Sequence, residues 1–288
     1  MEEWVKLGIS QQDPVATDIM INGLKLDWKG ALPPTFRSCP PSLVTRGRQE
    51  LEILEFIPSW IAQGYVREIS NPALTPCHFS RMFTVPKGTS ERRPIIDLSP
   101  MNRLLKRRSF KMEDLRTVSR CLFPGLWAVK LDLKDAYLHL LLALAVIHFF
   151  AFALGKRQFM FLRMPFGLSP APWAFTRILK PVKKSLRGSG INLSSFLDDF
   201  LIWAKSYEEA VRDTRQVILF LQKLGFHINW KKSALQPQRK LEYLGVIVDL
   251  EHMTFSLPKE KVEPILMICR SIQGPSILKR DLESILGF

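Results

Sequence analysis

Two adjacent carboxylates, Asp198 and Asp199, stand between two apolar, strand-forming segments in the run Ser194-Ser195-Phe196-Leu197-Asp198-Asp199-Phe200-Leu201-Ile202-Trp203. Desolvating one carboxylate is costly, and like charges side by side raise each other's pKa. A divalent cation is the usual means of holding such a pair ionised in a partly buried place. The pattern predicts strand, tight turn, strand, with the carboxylates at the turn. The plain alternative is a solvated hairpin with no chemistry.

A second carboxylate centre lies upstream. Val129-Lys130-Leu131-Asp132-Leu133-Lys134-Asp135-Ala136-Tyr137 begins as an apolar strand and sets Asp132 at or near its end. Two strands tipped with Asp can converge their carboxylates on a metal pair about 3.5–4 Å apart, the arrangement used in phosphoryl transfer. Asp135 reads equally as the N-cap of a following helix or as part of the site.

Charge points to a polyanionic partner. The 288 residues carry 41 Lys and Arg against 27 Asp and Glu, a net charge of +14. Arg103, Lys106, Arg107, Arg108 and Lys111 cluster within nine residues, a pattern that can follow phosphates or form one solvated face. Cys39, Cys77, Cys121 and Cys269 are far apart, which indicates neither a zinc site nor a disulfide framework and fits a reducing compartment, cytoplasmic or nuclear. No secretory signal is expected. A hydrophobic fraction of 47% is ample for a packed core.

Six ordered motifs over roughly residues 50 to 288 resemble a reverse transcriptase of an LTR-type or tyrosine-recombinase retrotransposon, Gypsy-like or DIRS-like. Val85-Pro86-Lys87-Gly88 with Arg92-Arg93-Pro94-Ile95-Ile96-Asp97-Leu98-Ser99-Pro100-Met101-Asn102 resembles the fingers hairpin. Leu131–Tyr137 resembles the first palm motif, and Arg163-Met164-Pro165-Phe166-Gly167-Leu168-Ser169-Pro170 opens the second. Phe196-Leu197-Asp198-Asp199 stands where the family usually carries Tyr in place of Phe196. Leu224–Ser233 and Leu241–Asp249 resemble the last two palm motifs.

The resemblance implies an α+β right-hand polymerase fold, its palm an antiparallel sheet backed by helices. It implies RNA-directed DNA synthesis with two Mg²⁺ ions, Mn²⁺ being an alternative. Asp132, Asp198, Asp199 and the carbonyl of Leu133 are then the metal ligands. Lys232, or its neighbour Lys231, is the proton donor to pyrophosphate. Lys87 and Arg93, with Arg92 as the alternative to Arg93, grip the triphosphate. Asp135, Ala136, Phe166 and Gly167 complete the nucleotide site, Tyr137 is the steric gate against ribonucleotides, and Tyr243-Leu244-Gly245 forms the primer grip. The implied partners are an RNA template, a DNA or RNA primer, deoxynucleoside triphosphates, and other parts of a retroelement polyprotein such as RNase H, a recombinase or an integrase. A non-catalytic nucleic-acid-binding remnant is the second reading.

The expected organisation is an extended arm over 1–45, fingers over 46–128, palm over 129–250 with an inserted fingers part near 143–160, and the start of a thumb over 251–288. Helices are predicted over 45–64, 113–119, 170–186, 208–224, 258–272 and 276–288, and a hairpin over 76–97. The apolar stretch 138–154 departs from the family, which usually has a polar turn there. It is slightly short for a membrane span and holds His139 and His148. Such a stretch needs either a covering partner or an explanation in sequence decay.

Overall fold

The computed structural model describes residue 3 and residues 13–71, 74–88 and 91–271. The helix expected over 276–288 lies outside the described residues. In chain order the strands are β1 Val66–Glu68, β2 Met82–Lys87, β3 Glu91–Ile96, β4 Trp127–Asp132, β5 Ala151–Leu154 and β6 Arg157–Phe161. They continue with β7 Asn192–Phe196, β8 Asp199–Ala204, β9 Ala234–Gln238, β10 Lys240–Tyr243, β11 Val246–Asp249 and β12 Thr254–Ser256. The chain divides into two compact units, each built from segments that are discontinuous in sequence.

The first unit holds the residues up to Met112, Leu133–Gly190 and Ile218–Ile228. Its two sheets are the β2–β3 hairpin and the antiparallel set β1-β6-β5. The single helix expected over 45–64 is two, Arg48–Leu54 and Ile57–Ala62. Pro58 lacks an N–H, and its ring would collide with the carbonyl one turn back, so the helix restarts there. The helix Ala171–Gly188 carries an apolar face that includes Phe175, Ile178, Leu179 and Val182, all buried.

The apolar stretch is folded into this unit. It runs through a short 3₁₀ turn at Ala136–His139, a second at Ile147–Phe149, and into β5, whose four residues are all buried. The N-terminal arm covers part of it. Asp13 accepts hydrogen bonds from the N–H groups of Val15 and Ala16 and caps the helix Pro14–Asn22. The chain then turns at Gly23, φ +78°, and Leu24 exchanges backbone hydrogen bonds of 2.7 and 3.1 Å with Leu141 and Ala143. A Cβ on Gly23 would stand 2.6 Å from the backbone of Leu142 and Ala143, so only glycine permits this approach. Leu144, 84% exposed, remains uncovered. Among the described residues no helix is long and apolar enough to cross a membrane.

The second unit holds Glu113–Asp132, Ile191–Val217 and the residues from Asn229 onward. Its main sheet has the order β7-β8-β4-β9, antiparallel throughout, and a second sheet has the order β10-β11-β12. Strand β4 alternates: Val129 and Leu131 are fully buried, while Lys130 and Asp132 share the other face. One core cluster gathers Val118, Leu122, Leu126, Ala128, Leu201, Trp203, Leu241, Tyr243, Val248 and Leu250, with Ala128, Leu201 and Trp203 on the same face of the sheet as Lys130. The helix Tyr207–Lys223 belongs partly to each unit.

Candidate active site

The carboxylates assemble in the second unit. Strands β7 and β8 form a hairpin in which Phe196 pairs with Asp199, leaving Leu197 and Asp198 as the two turn residues. Leu197 takes φ +54°, a left-handed conformation usual for glycine, so the tip is held under strain. Strand β4 runs antiparallel beside β8 with Asp132 directly opposite Asp199. Opposed residues of an antiparallel pair point to the same face, so β4 and β8 present two carboxylates together and Asp198 stands at the adjoining tip.

The electrostatics follow from that register. Burial raises the Asp132 carboxyl above its ordinary range; Lys232, a hydrogen bond from Asn229, and Lys130 pull it back, while Asp199 pushes it up. Burial also raises Asp198, against the hydrogen bond from its own backbone N–H, with Asp199 and Asp132 adding repulsion and Lys232 opposing it. Asp199 Oδ1 is buried and accepts no hydrogen bond. Lys130 Nζ lies 3.2 Å from it, in a direction that makes an ion pair without a hydrogen bond.

Asp132 is held by a loop of the Leu224–Ser233 motif, through hydrogen bonds that the motif does not specify. Asn229 N–H donates to the Asp132 carbonyl at 2.8 Å, and Ser233 Oγ accepts from the Asp132 N–H at 3.0 Å while donating to the Asn229 carbonyl. This loop carries Lys232, exposed but near enough to affect both Asp132 and Asp198, an influence that Lys231 does not share.

Tyr243 leads into the expected primer-grip turn from inside the core. Its ring is fully buried in the core, with the hydroxyl 3.5 Å from the Asp199 carbonyl oxygen, and burial raises its pKa strongly. Tyr243 supports the strand that carries Asp199. The turn beyond it, Leu244 at φ +50° and Gly245 at φ +73°, is partly exposed, and the Gly245 carbonyl accepts from Lys261 Nζ at 2.9 Å.

The remaining expected residues belong to the first unit, apart from the carboxylates. Lys87 and Arg93 share one face of the β2–β3 hairpin, where their strand partners are Glu91 and Val85. Arg93 is exposed; Lys87 pairs with Glu91 at 2.8 Å. Arg92 lies on the other face, tied to Thr84 and to Glu52 at 2.8 Å. Asp135 sits at φ +51° at the start of the 3₁₀ turn and its side chain makes no capping hydrogen bond, so of its two readings the side-chain cap is not the one seen. Ala136 and Leu133 are buried, Leu133 bridging to Ile228.

Tyr137 packs against Phe166 and Phe175, with ring centroids 5.4 and 5.8 Å apart. The Phe166-Gly167 turn, Gly167 at φ +87°, is fastened by Asn102: its Nδ2 donates to the Gly167 carbonyl and its Oδ1 accepts from the Ser169 N–H, both at 2.8 Å. His139 fixes the Tyr137 segment, with one ring nitrogen 3.2 Å from the Ala136 carbonyl and the other accepting from the His227 N–H at 2.9 Å. Burial keeps its ring neutral, with a pKa pushed down to about 4. In the basic cluster, Arg108 pairs with Asp27 and lies over the Trp173 ring at 3.9 Å.

The model of the family described as reverse transcriptase (RNA-dependent DNA polymerase) matches residues 85–248. The chain belongs to the reverse transcriptase family. Among relatives, the Pol polyprotein from the transposon opus of Drosophila melanogaster is 23% identical over 251 residues, 87% of this chain and 24% of that protein. Protein P of Heron hepatitis B virus is 28% identical over 181 residues, 60% of this chain and 23% of that protein. The chain thus spans about a quarter of the length of these curated relatives. A foamy viral protease–reverse transcriptase solved with double-stranded DNA superposes with a TM-score of 0.73 at 19% identity, over 99% of this chain and 48% of that one. The fold of this reverse transcriptase chain is accordingly the α+β polymerase fold.

The carboxylate set suits hard divalent cations, because it offers oxygen ligands, an orphaned carboxylate oxygen and mutual repulsion that a cation would relieve. Among the described residues no three Asp, Glu, His or Cys side chains are gathered closely enough to form a chelate by themselves. Mg²⁺ tolerates that arrangement, since it usually keeps several waters and takes ligands from substrate phosphates.

Proposed function

We propose that this chain is the RNA-directed DNA polymerase of an LTR-type retroelement, adding deoxynucleotides to a DNA or RNA primer paired with an RNA template. The observation that carries the reading is the opposition of Asp132 and Asp199 across β4 and β8, with Asp198 at the hairpin tip. Two Mg²⁺ ions, with Mn²⁺ as the alternative, would be held by Asp132, Asp198, Asp199 and the backbone carbonyl of Leu133, supplying Lewis acidity to the phosphoryl transfer.

The protein's own groups do the rest. Lys232, exposed beside the carboxylates, gives a proton to the departing pyrophosphate. Lys87 and Arg93, on one face of the fingers hairpin, hold the triphosphate oxygens, and the engagement of Arg92 with Glu52 and Thr84 on the other face favours Arg93 over it. Tyr137, packed against Phe166 and edge-on to Phe175, bars the ribose 2′-hydroxyl. The Phe166-Gly167 backbone, with Asp135 and Ala136, borders the nucleotide, and the Leu244-Gly245 turn touches the primer. Other polyprotein parts, such as RNase H and a recombinase or integrase, are the expected associates, in an intracellular setting. The test is extension of a DNA primer on an RNA template with and without Mg²⁺. Salt-sensitive binding of primer–template with no incorporation would instead make the chain a non-catalytic remnant.

A further inference from the structure

Lys130 occupies an expensive position. It lies on β4, which is flanked by β8 and β9, with Leu201 and Ala234 as its strand partners. A lysine inside a sheet that has neighbours on both sides loses hydration and lacks room to stretch into solvent, so it needs an anionic partner. The alternation of the strand puts it on the same face as Asp132, two residues on. Its ammonium reaches Asp199 Oδ1 at 3.2 Å, with only about a quarter of either side chain exposed. That oxygen is buried, accepts no hydrogen bond, and belongs to the carboxylate set assigned above to the metal.

We infer that Lys130 is a built-in competitor of the divalent cation at Asp199. This rests on the reading of the carboxylates as the metal site. With the site empty of cation, the ammonium partly neutralises Asp199 and limits repulsion between opposed carboxylates. A cation that takes Asp199 as a ligand meets a positive charge already within ion-pair distance, and Lys130 must swing away or share the oxygen. Lys130 is therefore a positioning residue that weakens cation affinity and keeps the β4 and β8 carboxylates in place between binding events. No substrate contact is required of it.

The experiment reads cation binding without catalysis. Thermal stability is followed through MgCl₂ and CaCl₂ titrations at constant ionic strength, for the parent, Lys130→Gln, Lys130→Met and Lys130→Arg. Gln and Met variants should melt lower without cation and reach half of their cation-induced shift at a concentration about fivefold lower. A unit charge that has swung to about 8 Å from a divalent cation is worth that much in water-like dielectric. Lys130→Arg should keep the parent midpoint, because it keeps the charge. Unchanged midpoints in both Gln and Met, or an Arg variant that shifts as far as they do, would overturn the inference while leaving the metal site standing. A parent with no cation response would remove the metal site and this role with it. Failure of both neutral variants to fold would make Lys130 a purely structural ion pair, which also overturns it.

Discussion

Asp198→Asn should make the cation-free protein more stable while destroying the site. Asp198 stands at the hairpin tip with its carboxyl raised by burial and by the charges of Asp199 and Asp132. Two like charges about 6 Å apart at an effective dielectric near 20 repel by about 3 kcal/mol. Lys232 and Lys130 offset part of this, and partial exposure of the tip screens more. The isosteric amide should therefore gain about 1–2 kcal/mol at pH 7.5 with a chelator present. For a chain of this size that corresponds to about 2–6 °C in Tm.

The pH dependence has a definite sign. A carboxyl whose folded-state pKa is raised binds its proton more readily in the native state. Native stability from this group is thus present below the ordinary value near 3.8 and is lost as pH rises through the folded-state value. The advantage of the Asn variant should be full at pH 7.5 and shrink as the pH is lowered through that window. Adding Mg²⁺ should stabilise the parent, by about 1.4 kcal/mol at ten times its Kd, and leave the variant nearly unmoved. Differential scanning fluorimetry of both proteins at several pH values makes the measurement. An Asn variant that folds but melts at or below the parent at pH 7.5, or whose advantage does not depend on pH, would refute the electrostatic argument.

Other perturbations test separate parts of the structure. Tyr137→Val should let ribonucleotides enter at least tenfold more readily relative to deoxynucleotides, read by single-nucleotide primer extension, with little change in Tm. Asn102→Ala removes both hydrogen bonds that fasten the Phe166-Gly167 turn and should cost about 1–2 kcal/mol in denaturant unfolding, with a higher KM for nucleotide. Gly23→Ala meets the Leu142–Ala143 backbone at 2.6 Å from a left-handed φ and should cost about 2–3 kcal/mol. Its signature is faster proteolysis of the N-terminal arm.

The strands that carry the carboxylates were legible because their signal is local. A two-residue period carries β4, β7 and β8, and carboxylates at strand ends have few structural reasons to be there. The fold was legible because six motifs in order specify one arrangement. What escaped notice depends on pairing across the sheet or on distant segments. Lys130 was readable in hindsight from alternation with Asp132, but its partner Asp199 became visible only through the β4–β8 register. Asn229 and Ser233 look like ordinary turn residues until they bond the Asp132 backbone. The burial of Tyr243 was not legible because its motif says nothing of burial; the packing of β10 on the core decides that. The apolar 138–154 stretch seemed to need an outside cover, and the arm around Gly23 and Leu24 supplies part of it from a hundred residues away.

The most direct measurement is incorporation of one labelled deoxynucleotide onto a DNA primer annealed to an RNA template, with Mg²⁺, by the parent, Asp132→Asn and Asp198→Asn. The account predicts addition by the parent alone, lost on chelation, with all three proteins folded and binding primer–template. Equal incorporation by an Asn variant, or none by a folded parent that binds the duplex, would contradict it.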